Sequence, residues 1–313
     1  MDAALPATPA ADAPLTAILD HLQAALAAGA PEVTILALDP DHGAGCYAGE
    51  PLTVDGVAGR HRPWRVWVEL ADRLELRLGT PRPAAGPLIA VRFSRRAPTP
   101  ALPRDPRERY GATSDFARAS KLEEPGFVLD FADAVARAGL TADARVLVLG
   151  VNRGDELALL QRAVPGLSGS RMTGIDHSPS ALAIARARFP DATLLEADLA
   201  HLDRLGLGAF DLIVAIATLQ SPGIDDRAVL RALTQHHLAD DAAIILGIPN
   251  GRYRDGELSH GARMKNFAQP ELGLVVKDLA FYRKYLQQHR MQVYVTGHHE
   301  LLVTGVRRAR PEP

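Results

Sequence analysis

RVLVLGVNRGDE, Arg145–Glu156, is the stretch whose reading decides the fold. Val146–Leu149 is an unbroken apolar run, the pattern of a strand buried on both faces. Gly150 lets the backbone turn sharply and lets a ligand come close to the main chain. Asp155–Ala163 then reads as a helix, and the unpaired N–H groups of its first turn suit a carboxylate or phosphate. Glycines alone also fit a tight turn in any α/β protein. The strands on either side have to decide.

Downstream, RMTGID (Arg171–Asp176) reads as a second strand. Its helix opens on Ser178 as N-cap and Pro179 at the first position, runs through ALAIARARF, and stops at Pro190. Thr193–Ala197 is a third strand and FDLIVAIA (Phe210–Ala217) a fourth; Ala228–Leu238 is the helix after it, and AAIILGI (Ala242–Ile248) a fifth strand. Upstream, Glu124–Ala138 reads as a helix with Pro125 in its first turn and Gly139 as its stop. Apolar strands alternating with helices predict an α/β, doubly wound, mostly parallel sheet covered on both faces. Pro249–Pro270 reads as a loop of about twenty residues, a length usually tied to function. Glu271–His289 is a helix with Leu272, Val275, Val276, Leu279, Tyr282 and Leu286 on one face. Gln292–Thr296 and Glu300–Val306 close the sheet as an antiparallel hairpin.

The first part of the chain differs. Residues 1–13 are Ala- and Pro-rich and read as a disordered tail. Residues 14–95 read as a small α+β module, with a helix at Leu15–Ala28 and strands at Glu32–Leu38, Pro63–Leu70 (PWRVWVEL), Leu74–Leu78 and Pro87–Phe93. Trp64 and Trp67 suit its core or a contact surface equally. The proline-rich RAPTPALPRDPR opens a linker and lid segment over residues 96–123, and residues 124–313 form the main domain.

Composition narrows the function. With 47% hydrophobic and 23% charged residues among 313, the chain has the balance of a globular protein with a real core. No run reaches the ~18 apolar residues of a membrane span, and the N-terminus lacks the pattern of a signal peptide. A single cysteine, Cys46, excludes a disulfide framework, so a cytoplasmic location is expected. A net charge of −2 argues against a surface devoted to nucleic acid, although Arg252, Arg254, Arg263 and Lys265 cluster. His236–His237 and His298–His299 are adjacent pairs whose side chains point apart, so no metal site is expected.

Two carboxylates strengthen the ligand reading. Asp176 ends the second strand about 20 residues past the glycine turn, where an acid can accept both hydroxyls of a ribose. Asp198 follows the third strand, where it can receive the exocyclic amine of an adenine. With these markers in order, Arg145–Ala217 resembles the class I S-adenosylmethionine-dependent methyltransferase family. LVLGVNRG is similar to its glycine-rich first motif, GIDHSPSALAIARARFP to its second, LLEADL to its third, FDLIVAIATLQSP to its fourth and AAIILGIPN to its fifth strand. The resemblance extends over Glu124–Val306 and implies a seven-stranded sheet with an antiparallel last strand. It also implies that Gly150, Val151, Asn152 and Gly154 line the methionine part of S-adenosyl-L-methionine. Asp176 would hold the ribose, His177 would flank the adenine, Asp198 and Leu199 would bind its edge, and Ala215 and Ala217 would close the pocket. Tyr110, Arg118 and Lys121 are implied as lid residues.

The chain departs from the family at Val148, where an acid is usual, and at Asn152, where a glycine is usual. Asparagine reaches left-handed conformations more readily than most residues; Asp155 or Glu156 is available to replace the missing charge. Methyl transfer needs the acceptor positioned and its proton accepted. Gln220, Asn250, Tyr253, Glu257 and His260 are the candidates, with Glu257 or His260 as base and Tyr253 as a clamp. TLQSP lacks the Asn/Asp-Pro-Pro-aromatic motif of base-methylating enzymes, so a small-molecule acceptor is favoured, RNA (tRNA above all) next and protein third. A homodimer fits these expectations. The competing readings are a non-catalytic cofactor-binding or RNA-binding module on the same fold and, less favoured, an NAD(P)-dependent oxidoreductase. The latter lacks glycines at 152 and 155, and Asp155 would repel a pyrophosphate.

Overall fold

The computed structural model describes residues 8–43, 45–97, 111–112, 114–261 and 272–307. The chain divides into two units, Met1–Thr99 and Pro100–Pro313. In the first, α1 (Leu15–Ala27) precedes β1 (Glu32–Leu38), β2 (Pro51–Val54), β3 (Val57–Arg60), α2 (Trp64–Arg73), β4 (Leu76–Leu78), β5 (Arg82–Pro83) and β6 (Leu88–Arg95). Antiparallel β1, β6 and β4 form the sheet, with β5 also on β6, and β2–β3 stand apart as a hairpin.

Three local expectations fail in this unit. PWRVWVEL is helical: β-branched and aromatic content suggests a strand, but Trp67, Leu70 and Ala71 are buried at helical spacing against Ile35, Val91 and Phe93. The β2–β3 hairpin turns on Asp55-Gly56, both at positive φ, a type I′ signal that sequence reading passed over. Where composition suggests a disordered tail, residues 10–13 make a turn whose Ala11 carbonyl accepts from the Arg60 N–H at 3.1 Å.

The second unit contains α3 (Pro125–Ala138), β7 (Val146–Leu149), α4 (Asp155–Ala163), β8 (Met172–Asp176), α5 (Pro179–Arg188), β9 (Thr193–Glu196) and β10 (Phe210–Ile216). There follow α6 (Asp226–Ala232), β11 (Leu238–Pro249), β12 (Gly251–Arg254), β13 (Glu257–His260), α7 (Leu272–Gln288), β14 (Met291–Gly297) and β15 (Glu300–Arg307). Seven strands make one sheet in the order β14-β15-β11-β10-β7-β8-β9. β7 to β11 are parallel, and β15 runs antiparallel between β11 and β14. This is the α/β, doubly wound, mostly parallel architecture the sequence predicts. All four residues of β7 are buried, Val146 and Val148 on the α3–α4 face and Leu147 and Leu149 on the α6–α7 face. At roughly 1.5–3 kcal/mol for each such side chain, two-sided burial holds the central strand in place.

Three details differ here too. The helix after β10 ends at Ala232 in a π-turn over Leu233–His237, and the chain re-enters the sheet at Leu238. On α7, Val276 is 62% exposed; Val275, Tyr282 and Leu286 carry the buried face instead. The start of the Pro249–Pro270 loop is a β12–β13 hairpin turning on Asp255-Gly256, again both at positive φ. Residues 262–271 of that loop, including Arg263 and Lys265, lie outside the described residues, as does Tyr110. Among the described residues, no helix is long and apolar enough to cross a membrane.

Candidate active site

The C-terminal tips of β7 to β11 and the beginning of β15 share one edge of the sheet, where open α/β sheets bind ligands. At its centre the turn after β7 carries three left-handed residues, Gly150 (φ 67°), Asn152 (φ 44°) and Gly154 (φ 86°). Asn152 thus adopts the conformation asked of it. Gly150 and Val151 both donate to the Ile175 carbonyl, at 2.8 and 3.1 Å, tying the turn to β8. The Asp176 carboxylate completes the tie: Oδ2 accepts the Asn152 N–H at 2.8 Å and Oδ1 the Ser178 N–H at 2.9 Å. A carboxylate has about four lone-pair sites, so Asp176 keeps acceptor capacity for two hydroxyls after organising the turn.

The remaining implied cofactor residues are placed as follows. Val151 is fully buried and packs into the core on the α3–α4 face. Asp198 caps the turn after β9 by accepting the Ala200 N–H at 2.9 Å, and buried Leu199 stands beside it. His177 is exposed. Ala215 is buried within β10. Ala217 takes φ 52°, a left-handed conformation that a non-glycine residue adopts at a cost. Thr218 locks the tip of β10, its hydroxyl donating to the Leu149 and Ile216 carbonyls, each at 2.9 Å.

The acceptor-side candidates are placed along the edge as follows. Asn250 and His260 meet, with 3.5 Å between Nδ2 and Nδ1, and Asn250 also donates to the His298 carbonyl at 2.9 Å. Tyr253 donates from its hydroxyl to Glu124. Gln220 is turned toward α7, donating to the Tyr282 hydroxyl at 3.2 Å, which in turn donates to Asp226 at 2.8 Å. Glu257 lies opposite Arg254 across the β12–β13 hairpin.

Sequence reading missed a buried ionic cluster at the same edge. Lys121 reaches Glu124 and Glu300, each at 3.2 Å. Asp155 accepts from Ser120 Oγ at 3.2 Å, from the Lys121 N–H at 3.1 Å and from Arg188 at 2.8 Å, with Arg153 at 3.5 Å. The segment upstream of α3 is thereby fastened to the first turn of α4. Arg118 stays exposed. Burial would lower the Lys121 pKa, but Glu300 and Glu124 outweigh it and raise it. Burial pushes Glu300 up, against the pull of Lys121. Glu156 is the extreme case: burial, with Asp155 adding to it, pushes its carboxyl up to about 7.

That shift has a sign. The folded value lies above the ordinary 4.5, so the native state keeps a proton that the unfolded chain has already released. Stability therefore falls as pH rises from 4.5 to 7, by roughly 3 kcal/mol in all. Glu156→Gln is expected to leave stability almost unchanged at pH 5 and to raise it by about 2–3 kcal/mol at pH 8. Urea unfolding followed by far-UV circular dichroism checks this; equal midpoint changes at both pH values would contradict it.

Comparison with known proteins agrees with this geometry. Residues 146–238 match the family described as "Methyltransferase domain". Trans-aconitate 2-methyltransferase of Delftia acidovorans is 31% identical over 153 residues, covering 49% of this chain and 54% of the relative. The protein of that name from Paracidovorax citrulli is 32% identical over 149 residues, covering 48% and 54%. That of Escherichia coli (ATCC 8739) is 41% identical over 86 residues, covering 28% and 32%. The chain spans about half the length or less of the curated relatives it matches. Residues 146–238, which carry the glycine turn, Asp176 and Asp198, thus match a methyltransferase-domain family within the strand order described above.

Proposed function

We propose that the protein transfers a methyl group from S-adenosylmethionine to a small-molecule acceptor. The observation that carries this is Asp176, which holds the turn after β7 through Asn152 and retains acceptor capacity at the ligand edge. The residues fit the cofactor chemically. Acceptors are available for a ribose, and Glu300 Oε1 and Asn250 Oδ1 are buried without a hydrogen-bond donor among the described residues. When bound, the cofactor supplies an activated methyl group and its own leaving group. The chain's work is binding and orientation. Asp176 holds the ribose, Asp198 and Leu199 meet the adenine edge, and the Gly150–Gly154 turn and Ala217 border the rest. Asn250 and His260 stand on the acceptor side, where Asn250 faces His260 Nδ1 and leaves Nε2 of the ring to take a proton.

The names of the relatives make trans-aconitate the first acceptor to try. On this reading the N-terminal unit serves acceptor recognition. The protein works in the cytoplasm, a view supported by its single cysteine, and as a homodimer, which sedimentation would test. The test of the main proposal has two arms. Calorimetry should show S-adenosylmethionine binding. Methyl-tritiated cofactor, mixed with trans-aconitate or with extract fractions with and without RNase, should label an RNase-resistant small molecule. Binding without turnover in any fraction would instead favour a non-catalytic cofactor-binding module.

A further inference from the structure

Among the described residues, the cluster at the sheet edge holds four buried carboxyls, Glu124, Asp155, Glu156 and Glu300, and three cations, Lys121, Arg153 and Arg188. Asp155 is matched by Arg188 and Arg153. Three further carboxyls, Glu124, Glu156 and Glu300, are buried around a single lysine, Lys121. The Tyr253 hydroxyl relieves Glu124 further. That leaves Glu156 and Glu300 undercompensated. Glu156 accepts from its own N–H. Glu300 is 4% exposed, its Oε1 has no donor among the described residues, and it stands over Gly247, where a Cβ would come within 2.8 Å of it. Gly247 in turn accepts from the Ala217 N–H at 3.1 Å, so Glu300 lies beside the tip of β10. Buried carboxyls in this condition call for a positive partner.

Resting on the cofactor reading above, we infer that Glu156 and Glu300 receive the α-ammonium of the cofactor's amino-acid end. The order of the strand tips supports this. Asp198 after β9 and Asp176 after β8 serve the adenine and ribose. A ligand laid along the edge then passes the glycine turn, where Glu156 stands in the first turn of α4, toward β10, β11 and β15, where Glu300 begins the last strand. A carboxyl half-protonated near pH 7 gives up its proton to the buffer when a cation arrives beside it.

Calorimetry at pH 7 in phosphate and in Tris tests this, using S-adenosylhomocysteine, whose only cation is that ammonium. 5′-Methylthioadenosine, the same nucleoside thioether without the amino-acid end, is the control. The expected result is release of about half a proton with S-adenosylhomocysteine and none with the control. Glu156→Gln should reduce the release and weaken S-adenosylhomocysteine about tenfold or more, and Glu300→Gln should weaken it likewise. Neither should change affinity for 5′-methylthioadenosine, which also reports correct folding. The direction matters: were these side chains beside the ligand's carboxylate instead, their neutralisation would tighten binding. Unchanged or tighter binding of S-adenosylhomocysteine by both variants overturns the inference while leaving the cofactor reading intact. No binding of either nucleoside by the parent protein overturns both.

Discussion

Gly150→Ala is expected to melt the second unit on the order of 10 °C earlier than the parent chain. Two penalties combine. At φ 67° an alanine occupies left-handed space at roughly 1–2 kcal/mol. Its Cβ would also collide with Thr218 Oγ1, which is held by the Leu149 and Ile216 carbonyls and has nowhere to retreat. Overpacking of that kind adds about 1–3 kcal/mol. Far-UV circular dichroism should report the early transition. An unshifted melt would refute the account of Gly150.

Asp176→Ala should lower affinity for S-adenosylmethionine by roughly 100-fold or more. A hydrogen bond to a charged group is worth about 1.5–3 kcal/mol, and two hydroxyls are at stake. The substitution also frees the Asn152 and Ser178 N–H groups, so the turn after β7 loosens as the contact is lost. Asp176→Asn separates the two effects. Its amide oxygen still accepts one of those N–H groups, so the thermal melt stays close to the parent's while most of the affinity is lost. Affinity within twofold of the parent for both variants would remove the ribose role from Asp176.

How far the sequence spoke depended on range. Val146–Leu149, Asp176 and the Ser178-Pro179 start announced themselves because apolar runs, caps and strand-end acids are local chemistry. Asn152 in a left-handed turn was legible for the same reason. The two Asp-Gly hairpins were equally local, but they sit among mixed-polarity residues that lack clean alternation. Pro63–Leu70 reads as a strand by its β-branched and aromatic content, yet Trp64–Arg73 is helical because Trp67, Leu70 and Ala71 pack at helical spacing on β1 and β6. The ionic cluster had no local signature at all. Lys121 and Glu300 are separated by most of the second unit, and only the reversed direction of β15 brings Glu300 to the ligand edge. Ala217 gave no sign of its positive φ either, since alanine has no chemistry that asks for one.

That reversed strand also matters while the chain is being made. β11 carries the apolar stretch Ala242–Ile248, and its second neighbour in the sheet is β15, which emerges from the ribosome after β12, β13, α7 and β14. For that interval the nascent protein holds a long hydrophobic strand with one edge bare, the kind of surface to which other unfinished chains adhere. Chaperone dependence and inclusion-body formation should therefore respond most to changes in residues 291–307, the hairpin that closes this gap.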